Sequence, residues 1–207
     1  MARNEKRSGA RGSVRRTIAS LNGDGRYGAA LLVAAACLLL PSAGGSLLRD
    51  ALRYERAALA AGEYWRLLTA HVVHLDASHA ALNTLGLVLI WGLFARDYAP
   101  RRWIVIALAS ILAIDAGLWW LAPQVEWYVG ASGVLHGALA AGTLAHLRRR
   151  DFDGWILAAF LIGKLAIEQR VALPFAGDAP VIVAAHLYGA IGGLAAALCL
   201  PSRREPL

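Results

Sequence analysis

Six apolar stretches, at 28–48, 78–95, 103–122, 131–147, 155–172 and 180–200, occupy most of this 207-residue chain. Crossing a bilayer takes about 20 residues of helix, with a range of roughly 17 to 25, because lipid offers the backbone no hydrogen-bond partner. All six meet that range, although the second and fourth are short and the fifth carries Lys164, Glu168 and Gln169. The expected fold is an all-α membrane protein, a bundle of six transmembrane helices. With 58% hydrophobic and 17% charged residues, the chain is too evenly apolar for an ordinary soluble domain. Cys37 and Cys199 lie far apart with no metal-ligand spacing, so neither a disulfide framework nor a zinc site is indicated.

Charge placement gives the expected orientation. Taking alternate connections, fifteen Lys and Arg fall on one side, in the segment before the first stretch, at Arg96, Arg101 and Arg102, at Arg148 to Arg150, and at Arg203 and Arg204. Five fall on the other, at Arg49, Arg53, Arg56, Arg66 and Arg170, with Lys164 inside a stretch. The positive-inside rule then puts both termini in the cytoplasm. The net charge of +7 follows from this topology and from anionic lipid at the inner surface, so a nucleic-acid partner is not called for.

Residues 1–26 are rich in Arg, Gly and Ser without an apolar face and read as a disordered basic cytoplasmic arm. Residues 27–201 form the membrane domain and 202–207 a short cytoplasmic tail. A cleaved signal peptide fits less well, since the charged leader is long and losing the first stretch would spoil the alternation of sides. The longest external connection, 49–77, mixes apolar and charged positions, and its Tyr64 and Trp65 are interfacial anchors by type.

The direction of each helix assigns a depth to its polar residues. His79 and Asn83 lie four apart near the outer end of the second span, Ser132 opens the fourth, and His186 stands about six residues into the sixth. Three helices thus bring four polar groups to the outer half of the membrane. Singly each has a bland reading: a serine at a helix start is commonly a cap, and a buried histidine often just bonds a carbonyl. As a set at one depth they mark a site.

The chemistry that fits is nucleophilic acyl transfer. A serine hydroxyl needs an adjacent base, and imidazole suits that role because its ordinary pKa is about 6.5. The resulting oxyanion needs donors, which Asn83, His79 and the backbone N–H groups at the start of the fourth span can supply. Gly130 and Gly133 would let a substrate backbone approach, and Gly189 and Gly193 form a small-residue face for close helix packing. With no carboxylate on these three helices at this depth, a Ser132–His186 dyad is expected. His136, four residues after Ser132 on its own helix, is the rival base, disfavoured because side chains on one helix run parallel. His71, His74 and His146 are expected to be structural or exposed.

These residues resemble the rhomboid family of intramembrane serine proteases. The matching elements are W-R at Trp65 and Arg66, H-x-x-x-N at His79 and Asn83, G-x-S-G from Gly130 to Gly133, and A-H-x-x-G-x-x-x-G from Ala185 to Gly193. The resemblance implies Ser132 as nucleophile, His186 as general base, and His79 with Asn83 beside the Ser132 backbone amide at the oxyanion hole. The six-span form, G-A-S-G-V-L-H-G and a polar fifth span are most similar to the rhombosortases. That similarity implies a multi-pass protein of the bacterial inner membrane acting on secreted proteins with C-terminal membrane-anchored tails of the Gly-Gly type. Two departures stand out: His136 takes the place of an aromatic residue that stacks near the base, and Lys164, Glu168 and Gln169 occupy what is often an apolar gate. Lys164 and Glu168 are expected to pair along one face, with the three residues as a candidate contact for a polar substrate element. No metal or organic cofactor is called for. The rival functions are an inactive scaffold that binds membrane clients, against which both nucleophile and base are present, and a transporter, which would carry central polar residues and broken helices.

Overall fold

The structure, a computed structural model, describes residues 22, 25, 27–170 and 182–203. Most of the expected basic arm, the end of the tail and the connection 171–181 lie outside the described residues. Asn22 is described and is buried: its side-chain amide donates to the carbonyls of Trp91 and Gly92 at 3.0 Å each and accepts from Arg96 Nε at 2.8 Å. That end of the presumed arm is fastened to the bundle.

The first apolar stretch begins as α1 (Gly28–Leu39), tightens into a 3-10 turn (Leu40–Gly44) and resumes as α2 (Gly45–Leu52). Pro41 explains the change, since it lacks an N–H and cannot continue the ladder. The connection between the first two apolar stretches holds β1 (Tyr54–Glu55), α3 (Arg56–Ala60) and α4 (Arg66–Thr69). Helix α5 (Ala77–Phe94) opens at Asp76, whose carboxylate accepts from His79 N–H at 2.8 Å, and α6 (Pro100–Trp120) opens on a proline, a residue suited to the first turn. Then follow β2 (Trp127–Tyr128), α7 (Ser132–Arg149), α8 (Phe152–Glu168) and α9 (Val183–Cys199).

Helices therefore stand at all six predicted places. Among the described residues, three runs are by length and composition long and apolar enough to cross a membrane: Gly28–Leu52, Ala77–Phe94 and Pro100–Trp120. Helix α9 is apolar but shorter. The most polar of the long helices, α7, packs against α5, α6, α8 and α9. A helix walled by protein need not present an apolar surface to lipid.

The tightest packing is a glycine seam. A Cβ on Gly133 would lie 2.7 Å from the Ala185 carbonyl oxygen and 2.7 Å from Ile114 Cδ1, while Cβ atoms on Gly189 and Gly193 would overlap the carbonyls of Gly133 and Gly137. Backbone thus meets backbone between α7 and α9, with Ile114, Leu118 and Ala185 buried beside the seam. At the far end of α7, His146 Nδ1 lies 2.7 Å from Asp153 Oδ2 and its Nε2 lies 3.1 Å from Asp97 Oδ2. Arg149 bonds Asp97 at 2.6 Å and Asp151 at 2.7 Å. The ends of α5, α7 and α8 are joined there.

Candidate active site

Ser132 is placed by the segment before it. β1 pairs antiparallel with β2, Tyr54 opposite Tyr128 and Glu55 opposite Trp127. Gly130 N–H donates to the Ala70 carbonyl at 2.9 Å, and Tyr128 Oη donates to the Gly130 carbonyl at 2.7 Å. Burial pushes the Tyr128 phenol up from its ordinary value, so it keeps its proton for that bond. Gly130 has φ +115°, which L side chains rarely adopt. A Cβ there would also meet the His79 ring at 2.9 Å. The turn thus delivers Ser132 to the first position of α7, where backbone N–H groups lack intrahelical partners.

From α9, His186 reaches across the seam, its Nε2 2.9 Å from Ser132 Oγ. From α8, Glu168 Oε2 lies 2.9 Å from His186 Nδ1, and the other Glu168 oxygen accepts from Lys164. Glu168 and His186 are 6% and 5% exposed, so both are sheltered from water. The expectation of a serine–histidine pair without a carboxylate is corrected here. It considered three helices only, whereas α8 runs back towards the Ser132 end and finishes at that level. The pairing of Lys164 with Glu168 is observed. Of the candidate gate trio, Lys164 and Glu168 both line the groove, Glu168 also facing His186, while Gln169 Nε2 donates to the Val183 carbonyl at 3.3 Å.

His136 is stacked on His186, centroids 4.2 Å apart and planes 12° apart. Its Nδ1 donates to the Ser132 carbonyl at 2.7 Å, so the ring is tied to its own helix and does not address the hydroxyl. It fills the aromatic position with an imidazole. His136, Glu168 and His186 each offer a ligand atom within 4.8 Å of the others, yet stacked rings send their in-plane lone pairs side by side. The set is a poor metal cradle.

On α5, His79 accepts at Nδ1 from Leu75 N–H at 3.5 Å, and its ring faces Gly130. Asn83 is buried, one N–H going to the His79 carbonyl at 3.1 Å; its second N–H is available to a ligand. Trp65 and Arg66 are elsewhere. Arg66 is buried in the connection before α5, bonding Glu63 at 2.7 Å and the carbonyls of Asp50 and Arg53 at 2.8 and 2.9 Å, and Trp65 donates to the Ala51 carbonyl at 3.4 Å. They brace that connection.

A cavity of about 950 Å³ runs from these groups between α5 and α8, with Leu89, Leu139, Leu157 and Phe160 among its walls. A groove of this kind can seat an extended apolar segment beside the hydroxyl.

His71 and His74, expected to be structural or exposed, are buried, as is His146. His71 Nε2 lies 3.3 Å from Asp115 Oδ1. His74 packs edge-on to His79 with centroids 5.1 Å apart, and burial first, then His79, push its imidazole down to about 4. An imidazole depressed from about 6.5 leaves the unfolded chain holding more protons between those values, so stability is full above the upper value and falls as pH drops towards the lower. The melting temperature is expected to decline from about pH 6.5 to 4, and His74→Phe to flatten that decline, as measured by thermal scans in detergent.

The family description "Rhomboid domain" matches residues 61–203. Among curated proteins, the chain is 31% identical over 149 residues to the Rhomboid protease GluP of Bacillus subtilis, covering 71% of this chain and 28% of that one. It is 27% identical over 167 residues to YdcA of the same organism, which also bears the rhomboid name, covering 80% of this chain and 82% of YdcA. The chain thus spans less than a third of the length of GluP. No solved structure matches it.

Proposed function

Given that the chain belongs to the rhomboid family, we propose that it is an intramembrane serine endopeptidase with Ser132 as nucleophile and His186 as general base. The observation that carries the reading is the 2.9 Å approach of His186 Nε2 to Ser132 Oγ at the head of an apolar groove. The Ser132 proton passes to His186 Nε2 as Oγ bonds to the scissile carbonyl carbon, and the carbonyl electrons move onto oxygen. Collapse of that intermediate breaks the C–N bond and the departing amine takes the proton from Nε2, leaving an acyl-enzyme. Water resolves it in hydrolysis and an amine in transfer. His79, Asn83 and the Ser132 backbone N–H form the oxyanion hole. Asn83→Ala is expected to slow acylation by about 10²- to 10³-fold, read as the rate of covalent labelling.

The same reading takes all six helices as membrane spans, with both termini cytoplasmic and the serine near the outer face of a bacterial inner membrane. Its substrates are membrane-anchored proteins with a C-terminal transmembrane tail, of the Gly-Gly sorting type if the chain is a rhombosortase. Support for that subgroup is the G-A-S-G-V-L-H-G run and the charged α8. The test is labelling of the purified protein in detergent with a fluorophosphonate probe. Labelling lost in Ser132→Ala, followed by cleavage of a tailed substrate by wild type only, is expected. Cleavage retained by Ser132→Ala would overturn the reading and favour a scaffold.

A further inference from the structure

We propose that Glu168 is the positioning residue of the relay, holding His186 in its reactive tautomer, and that Lys164 tempers it through the opposite carboxylate oxygen. This rests on the reading of Ser132 as the nucleophile. The argument is a count of protons. A carboxylate only accepts, so the 2.9 Å approach of Glu168 Oε2 to His186 Nδ1 places the imidazole hydrogen on Nδ1. Nε2 is then a lone pair, and it faces Ser132 Oγ at 2.9 Å. The hydroxyl donates to it, which is the arrangement that takes the serine proton. With the hydrogen on Nε2 instead, the base could not act.

The position of Glu168 is otherwise unfavourable. It is the last residue of α8, where the helix dipole repels an anion, and it is buried in an apolar bundle. Two partners hold it there, Lys164 one turn earlier and His186 across the gap, and the neighbouring Gln169 ties the helix end to the start of α9. When His186 takes up the serine proton, Glu168 remains a carboxylate and faces the new cation. Lacking it, the imidazolium would confront Lys164 alone. Among the described residues, the charged and titratable groups around His186 are Glu168 and Lys164 on α8, His136 on α7 and His79 on α5.

The experiment is the pH profile of fluorophosphonate labelling for wild type, Ser132→Ala, Glu168→Gln, Glu168→Asp and Lys164→Met, each checked for a cooperative melt. Glu168→Gln is expected to lower the labelling rate at neutral pH by on the order of 10³- to 10⁴-fold. Its midpoint should move to lower pH, because a carboxylate favours the imidazolium. Glu168→Asp should restore the midpoint towards wild type, and Lys164→Met should move it the other way. Wild-type rate in Glu168→Gln, or a loss of rate with no shift of midpoint in the folded variant, would overturn the proposal. The Nδ1 proton of His186 in ¹⁵N-histidine-labelled protein gives a second readout, independent of nucleophilicity. It should resonate downfield in wild type and Ser132→Ala and vanish from that region in Glu168→Gln. Its persistence in Glu168→Gln would also overturn the proposal. Labelling that survives Ser132→Ala would sink the nucleophile assignment, while this resonance would still decide the role of Glu168.

Discussion

His186→Ala is expected to slow acylation of Ser132 by on the order of 10⁴- to 10⁶-fold at neutral pH, with the bundle still folded. The size follows from how the hydroxyl is served: its one ring partner is His186 Nε2 at 2.9 Å. The neighbouring imidazole offers no substitute, since His136 Nδ1 is committed to the Ser132 carbonyl at 2.7 Å and the ring lies flat against His186. Removing His136 should therefore act through lost stacking, with an effect within about tenfold, in line with about 0.5–1.5 kcal/mol for ring pairs. Single-turnover labelling of the two variants separates these outcomes. A larger loss in His136→Ala than in His186→Ala would reverse the assignment of the base.

The second large effect concerns folding. Gly189→Ala is expected to destabilise the protein by about 3 kcal/mol or more, because the added methyl would overlap the Gly133 carbonyl and Cα, backbone atoms of the helix that carries Ser132. Neither helix can yield without opening the seam that brings His186 to Ser132. Activity should fall together with the midpoint of thermal or detergent-induced unfolding. Gly163→Ala is the control, since a Cβ there meets nothing within 4 Å. It is expected to be neutral or to stabilise by about 0.5–1 kcal/mol through better helix propensity. Equal melting temperatures for the two variants would show that the seam tolerates separation.

The sequence made much of this legible, for definite reasons. Apolar length gave the sites of the helices, and the i to i+4 rule put His79 and Asn83 on one face, where both now line the groove. The small residues after His186 announced close packing, and the seam is there. Glu168 was visible as a charge paired with Lys164, but its service to His186 was not, because that contact depends on where α8 ends relative to α9. The β1–β2 pair was equally hidden. Two-residue strands have no period to detect, yet Tyr54 and Tyr128 anchor the turn before Ser132. Trp65 and Arg66, singled out by resemblance, turn out to brace the connection before α5. The sequence motif is shared, and the side chains reach other partners than the hydroxyl.

The junction at the far end of α7 sets how the groove can widen. Its two walls, α5 and α8, are tied below by one imidazole lying between Asp97, just past α5, and Asp153, in the first turn of α8. Arg149 adds a second strap through Asp97 and Asp151. Walls pinned at one end cannot slide apart in parallel; they part like the arms of tweezers. At the other end, level with Ser132, α8 is fastened to α9 rather than to α5, by Glu168 on His186 and by Gln169 on the Val183 carbonyl, so among the described residues α5 and α8 share a tie at the far end alone.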